Sequence, residues 1–186
     1  YVGKGLSGAT ISIKLSDESN LISNENTIIG NTVLYGATSG KLYASGQAGE
    51  RFAVRNSGSF AIVEGCGAHG CEYMTGGNAI ILGAVGDNFG AGMTGGMAFV
   101  YDEKNEFENF ANPASIIWQS VETDYWKKFL KESIKDFESK TSSQKAKKIL
   151  ENFEYELKNF KQVCPIEMLD KLDNPISLKP HVKKAG

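Results

Sequence analysis

The chain has 186 residues, a net charge of −2 and a pI near 5.8, which argues against a polyanionic partner such as nucleic acid. Its apolar runs of five or six residues are too short to span a bilayer. A domain of this length buries roughly 70% of its unfolded surface and needs no disulfide. The sequence opens at Tyr1 without an initiator Met or signal-like start, as if cut from a longer polypeptide.

Glycine-framed apolar segments recur at intervals of eighteen or nineteen residues. Three clear copies begin at Asn56, Thr75 and Thr94, and a degenerate copy begins at Thr38. Such a period is typical of stacked repeats, in which each unit buries its apolar face only against its neighbours. The units are too short for a four-stranded propeller blade and lack a helical period. The pattern predicts a parallel β-helix, a single-stranded solenoid with coils about 4.8 Å apart, over residues 1–102.

The predicted strands are rich in β-branched and aromatic residues, which suit a half-buried pleated surface. They are Ala9–Ile13, Thr27–Ile29, Thr32–Tyr35, Phe60–Val63, Ala79–Leu82 and Ala98–Tyr101. Each coil also contains a weaker apolar run, which we interpret as a second short strand. These runs are Arg51–Arg55, Cys71–Met74 and Asn88–Ala91.

The composition changes near Asp102, which divides the chain into residues 1–102 and a helical tail over residues 103–186. Of the 21 glycines, 20 lie in residues 1–96, whereas 15 of the 20 Lys and Arg residues follow residue 102. Apolar residues at helical spacing predict one helix from Thr123 to about Phe137. We expect the tail to pack on the solenoid or cap its open end, because exposed strand edges need covering.

A second tail helix is predicted from Thr141–Gln144, which has the form of a capping box. Its apolar stripe runs from Ala146 to Phe160 with a period near 3.6. Pro165 is expected to end this helix and to open a short one over Ile166–Leu172.

Three segments match the G-x-G-x-x-G pattern of dinucleotide-binding loops: Gly3–Gly8, Gly65–Gly70 and Gly90–Gly95. The true fingerprint follows a strand and opens a helix. Here Gly95 is followed by a predicted strand, and the motif recurs in phase with the structural repeat. We therefore assign these glycines to the repeat and predict no cofactor-binding or catalytic residue in the chain.

The cysteines and histidines leave two interpretations open. Cys66, Cys71 and Cys164 are expected to be buried thiols in a reducing compartment, and a metal site would need more ligands. His69 is expected at a coil corner, bonded to backbone, and His181 in a solvated tail. The alternative is a nucleophilic Cys–His site at Cys66, His69 and Cys71.

Charged and amide side chains of the repeats are interpreted structurally. Glu50, Arg51 and Arg55 either clamp an anion or, as we favour, face outward and pair with Glu64 or Glu72 on neighbouring coils. Asparagines at coil corners can adopt the left-handed conformation and form side-chain ladders. The candidates are Asn26, Asn31, Asn56, Asn78 and Asn88.

Longer strings carry a family resemblance. They are Tyr1–Gly8, Asn26–Thr32, Leu34–Thr38, Ala48–Gly58, His69–Gly77 and Asn88–Gly96, with looser likeness in Ser143–Leu150 and Phe160–Pro165. These strings resemble the C-terminal glycine-rich (GXGXG) domain of the glutamate synthase large subunit. The resemblance implies a right-handed parallel β-helix.

That family makes two glutamates from glutamine and 2-oxoglutarate, in ammonia assimilation. An N-terminal cysteine hydrolyses glutamine there, and ammonia passes through a tunnel to a barrel carrying FMN and an iron–sulfur cluster. The resemblance implies that none of these parts lies in this chain. It implies instead a cytoplasmic structural domain that aligns the amidotransferase and synthase domains and borders the tunnel. Its partners would be those domains and, through the parent protein, a small reductase subunit.

Two other classes of function remain as alternatives at this point. The first is the Cys–His enzyme site described above. The second is a free-standing β-helix protein or interaction module, similar to the glycine-solenoid subunit of formylmethanofuran dehydrogenase, whose helical tail docks a partner.

Overall fold

A computed structural model describes residues 1–179, and the fold is mainly β with a β-solenoid of about four turns. His181, expected to be solvated, lies outside the described residues. The described strands are β1 Ser7–Ile13, β2 Thr27–Ile29, β3 Ser39–Ala48, β4 Ser57–Cys66, β5 Thr75–Ile81, β6 Gly95–Tyr101, β7 Ile116–Ser120 and β8 Phe160–Pro165. The helices are α1 Asp124–Thr141, α2 Gln144–Glu151 and α3 Phe153–Glu156.

Successive coils of the solenoid pair as parallel strands. The sheet order is β1-β3-β4-β5-β6-β8-β7, and β2 pairs with the far end of β3. Equivalent residues of successive coils therefore stack directly, as in the column Ala61, Ala79 and Ala98. The predicted solenoid and its repeat are confirmed.

The sheet has two apolar faces. The inner face fills the solenoid with small and branched residues, including Val63, Ile81 and Val100, all of which are buried. The outer face lies under the helical layer and carries a stacked column that consists, from β3 to β6, of Tyr43, Ile62, Ile80 and Phe99. Alternation along each strand therefore supplies two cores from one sheet.

The tail contains two strands that the sequence did not indicate. β8 pairs antiparallel with both β6 and β7, so the solenoid sheet continues into the tail instead of ending at β6. The second predicted helix is wrong in its extent: α2 ends at Glu151, and Phe160 begins β8. Beyond Pro165 the structure has only a short 3-10 turn, Ile166–Met168.

Helix α1 agrees with the prediction and packs its apolar stripe against the outer face of the sheet. Trp126, Leu130, Ile134 and Phe137 are buried in that layer. The capping position of α2 differs from the expected one, because Ser143 is the N-cap and its hydroxyl accepts a hydrogen bond from the Ala146 amide.

A polar contact fastens α1 to β3. The buried Tyr43 hydroxyl donates a 2.5 Å hydrogen bond to Asp136 Oδ2, and Lys41 and Lys140 lie 3.7 and 3.4 Å from the same carboxylate. The hydrogen bond from Tyr43 is the main cause that lowers the pKa of Asp136. Burial, together with the same carboxylate, raises the pKa of Tyr43.

Replacing Tyr43 by Phe should lower the free energy of unfolding by about 1–2 kcal/mol at neutral pH. A carboxyl whose pKa is lowered by folding stabilises the protein above its unfolded-state pKa, and this contribution is lost as the pH falls through its folded-state pKa. The wild-type and Tyr43→Phe curves should therefore converge in acid. Urea unfolding across pH measures this, with the exposed Tyr73→Phe as control; curves that stay parallel contradict it.

Candidate functional site

The inner wall opposite the sheet is built from stacked turns. We call this wall the turn ladder, and it comprises residues 32–36, 51–55, 69–73 and 88–92. Within each rung, the first, third and fifth residues have φ between 51° and 73°. The strands expected at Thr32–Tyr35, Arg51–Arg55, Cys71–Met74 and Asn88–Ala91 are therefore wrong, because this alternating backbone is not extended.

Backbone hydrogen bonds between coils hold the turn ladder. The Cys71 amide donates to the Phe52 carbonyl of the preceding coil at 2.7 Å, whereas the His69 amide donates to the Asp87 carbonyl of the following coil at 2.7 Å. A non-glycine residue in the left-handed conformation costs about 1–2 kcal/mol. The inter-coil hydrogen bonds offset this cost, since an unpaired buried amide would itself be destabilising.

The turn ladder explains two of the three nucleotide-like motifs. Gly90 and Gly92 occupy left-handed positions with φ of 73° and 66°, and Gly3 and Gly5 have nearly the same values. In the middle motif the left-handed positions fall on His69 and Cys71 instead. None of the three motifs opens a helix, so the glycines serve the repeat and not a pyrophosphate.

The structure does not bring His69 together with the cysteines. Cys66 and Cys71 lie in the solenoid interior, where burial raises the pKa of Cys66 to about 12 and that of Cys71 well above its usual value. His69 Nδ1 instead lies 3.7 Å from Glu72 Oε1. A thiol of this kind is a poor nucleophile at neutral pH, since the thiolate is the reactive form.

His69, Glu72 and Arg51 form a polar cluster on the outside of the turn ladder. Arg51 Nε lies 3.5 Å from Glu72 Oε2, on the neighbouring coil, as predicted. The Arg55 guanidinium lies 5.9 Å from the ring centroids of both Tyr35 and Tyr73. These groups pair with one another across coils, which accounts for their charge without a bound anion.

The asparagines do not form the expected ladder. Of the five candidates, only Asn88 has a positive φ. Asn31 Oδ1 accepts from the Glu50 amide, and the buried Asn56 accepts from the Ser59 amide and donates to the Ser59 carbonyl. Their amides therefore fix the coil corners by bonding to the backbone.

Glu64, expected on the turn-ladder side, lies instead on the outer face of β4 and is only 1% exposed. Its Oε1 accepts hydrogen bonds from the hydroxyls of Ser45, at 3.2 Å, and Ser143. Its Oε2 is buried and has no hydrogen-bond partner among the described residues. Glu64 lines a cavity of about 250 Å³ that Lys145 also lines.

Sequence reasoning missed this cavity. The one available signal was the charge of Glu64 in an outer-face series that begins with Phe60 and Ile62. A charge at a position that should be apolar indicates either exposure or a special environment. Only the approach of Ser143, 79 residues later in the chain, decides between them.

The described residues do not fit the redox cofactors of the resembled family. Cys164 lies in the outer core, across the sheet from Cys66 and Cys71, so the three thiols do not converge on a cluster. Within residues 1–179, no group of three or more His, Cys, Asp or Glu side chains is arranged to hold a metal. In the same range, no helix has both the length and the apolar character needed to cross a membrane.

The fold and its coils define a glycine-rich β-solenoid domain. The sequence pattern of the GXGXG motif family matches residues 1–166, so the chain belongs to that family. It is 56% identical over 96% of its length to the glutamate synthase [NADPH] large chain of Azospirillum brasilense. It is 49% identical over 89% of its length to the corresponding Bacillus subtilis large chain, and 47% identical over 99% to the glutamate synthase [NADH] of Schizosaccharomyces pombe.

These relatives are far longer than the chain, which spans only 12%, 11% and 9% of their respective lengths. The chain is thus similar to one domain of a larger protein. The recognition of the glycine-rich glutamate synthase domain from the sequence is confirmed.

Proposed function

We propose that this chain is a non-catalytic spacer domain of a glutamate synthase, whose parent protein forms two glutamates from glutamine and 2-oxoglutarate. The domain would hold the amidotransferase and synthase domains in register and border the ammonia tunnel. FMN and an iron–sulfur cluster would be bound by other domains, and a small reductase subunit would join through the parent. The setting would be cytoplasmic, within nitrogen metabolism.

The main support is the in-register stack of parallel coils. Paired strands on one side and the turn ladder on the other hydrogen-bond each coil to its neighbours through the backbone. Such a body resists bending, and alignment of reacting groups demands stiffness because a misplacement of about 1 Å can cost a hundredfold in rate. The high identity to glutamate synthases extends through the tail, which favours this role over a free-standing module.

The two ends of the sheet support a docking role for one of them. After β6 the sheet continues into β8 and β7. At the other end, β1 is mostly exposed, and Leu21 and Ile22 between β1 and β2 are 57% and 56% exposed. Exposed apolar residues beside an open strand edge indicate a surface that another part of the polypeptide covers.

The non-catalytic assignment is tested by substitution in the complete protein. His69→Gln and Cys66→Ala should each leave kcat/KM for glutamine-dependent glutamate formation within about twofold of wild type, because neither side chain meets substrate. A general acid or base contributes about 10²–10⁴-fold. A loss of a hundredfold in either variant, with the fold intact by circular dichroism, would restore the Cys–His site as a candidate.

A further inference from the structure

The cavity beside Glu64 is enclosed by both parts of the fold. Glu64 comes from β4, Tyr101 from β6 and Lys145 from the first turn of α2. Leu82, Val85 and Phe107 supply apolar wall. A volume of about 250 Å³ lies just below the range of roughly 300–1,000 Å³ typical of small-molecule sites, so a compact ligand fits.

The hydrogen-bond pattern of Glu64 leaves one oxygen free. Ser143 accepts from the Ala146 amide, so its single hydroxyl proton is directed to Glu64 Oε1, and Ser45 donates to that same oxygen. Oε2 is buried and receives nothing from the described residues. A buried acceptor without a donor is costly, and it marks a place where a missing donor would stabilise the protein.

The charges around the cavity determine which kind of donor suits it. Its lining includes four carboxylates and two lysines: Glu64, Asp102, Glu103, Glu106, Lys104 and Lys145. Asp102 is already engaged by the Glu106 and Phe107 amides, at 2.8 and 3.0 Å. Lys145 Nζ lies 3.8 Å from Glu103 and 4.8 Å from the Tyr101 ring centroid, so its charge is directed to those partners and not to Glu64.

We propose that this cavity binds a small organic cation, a primary ammonium group on a short apolar chain, with the ammonium donating to Glu64 Oε2. The ammonium supplies the donor that Oε2 lacks, and the net negative lining favours a cation. The apolar wall accommodates the alkyl chain. Because Glu64 and Ser143 meet there, an occupied cavity also ties α2 to β4. This site does not depend on the spacer role proposed above.

Isothermal titration calorimetry of the complete protein with n-butylammonium chloride tests the proposal, with 1-butanol and butanoate as matched probes. One binding event is expected for the ammonium and none for the alcohol or the acid. Glu64→Gln should weaken binding by about tenfold or more, because a charge-assisted hydrogen bond is lost. Glu108→Gln, at an exposed carboxylate outside the cavity lining, should leave the affinity unchanged.

Two surface variants keep the test decisive if Glu64→Gln does not fold. Ala84 lines the cavity and is exposed, so Ala84→Trp should block entry and abolish binding without altering a buried contact. Lys145→Met removes a cation from the lining and should preserve or strengthen ammonium binding. The proposal is overturned by absence of binding to wild type, by equal binding of butanoate, or by binding that survives Glu64→Gln or Ala84→Trp.

Discussion

Replacing Leu21 and Ile22 together by lysine is expected to lower glutamine-dependent glutamate formation of the complete protein by about ten- to a hundredfold. The two side chains are more than half exposed and lie between β1 and β2, which share one edge of β3. If a neighbouring domain covers this edge, two buried ammonium groups would force it away. Small displacements of reacting centres have rate effects of this size. Steady-state glutamate production measures the loss.

The matched control for that variant is Leu178→Lys. Leu178 is 78% exposed and precedes the end of the described chain, where its amide contacts Glu122 near the start of α1. It should leave the rate within about twofold of wild type. If both variants are equally impaired, general surface charge explains the effect and the assigned docking edge is wrong.

Gly95→Ala is expected to lower the free energy of unfolding by more than about 3 kcal/mol, the range of the most damaging single substitutions. Gly95 begins β6, where its backbone passes so close to β5 that an added Cβ would lie 2.0 Å from the Thr75 carbonyl oxygen. Gly58 and Gly76 make the same close approach in the two preceding coils. Because both partners are backbone, no rotamer change relieves the clash, and the coils must separate.

Urea unfolding of Gly95→Ala measures this loss, and Gly30→Ala supplies the control. Gly30 is exposed, its φ is not in the left-handed region, and an added Cβ there meets nothing within 4 Å. Its substitution should be neutral or stabilise the chain by up to about 1 kcal/mol, since alanine restricts the unfolded chain. A Gly95→Ala cost below about 1 kcal/mol would mean that the coils are not so tightly stacked.

The sequence predicted the solenoid because its period is local and repeated. It failed on the turn ladder, where Leu34, Ala53 and Cys71 adopt left-handed backbone that such residues avoid in isolation. The stabilising bonds come from neighbouring coils and leave no local trace. β8 was missed for a related reason: Phe160 continues the helical stripe, whereas pairing with β6 overrides the local preference.

The candidate site was less predictable than the fold. The burial of Cys66 and Cys71 could be expected from the nature of free cysteine. The environment of Glu64 could not, because it depends on where the N-terminus of α2 comes to rest against β4. Contacts between segments separated by this many residues have no signature in the composition or spacing of either segment.

The most direct measurement of the spacer role is the fate of ammonia in the Leu21→Lys/Ile22→Lys variant of the complete protein. Free ammonia and glutamate are quantified for each glutamine hydrolysed. A displaced spacer predicts that hydrolysis continues while ammonia escapes to solvent and the glutamate yield falls. If glutamate formation stays fully coupled to hydrolysis, or if hydrolysis is lost with no ammonia released, the chain does not act by aligning the two reaction centres.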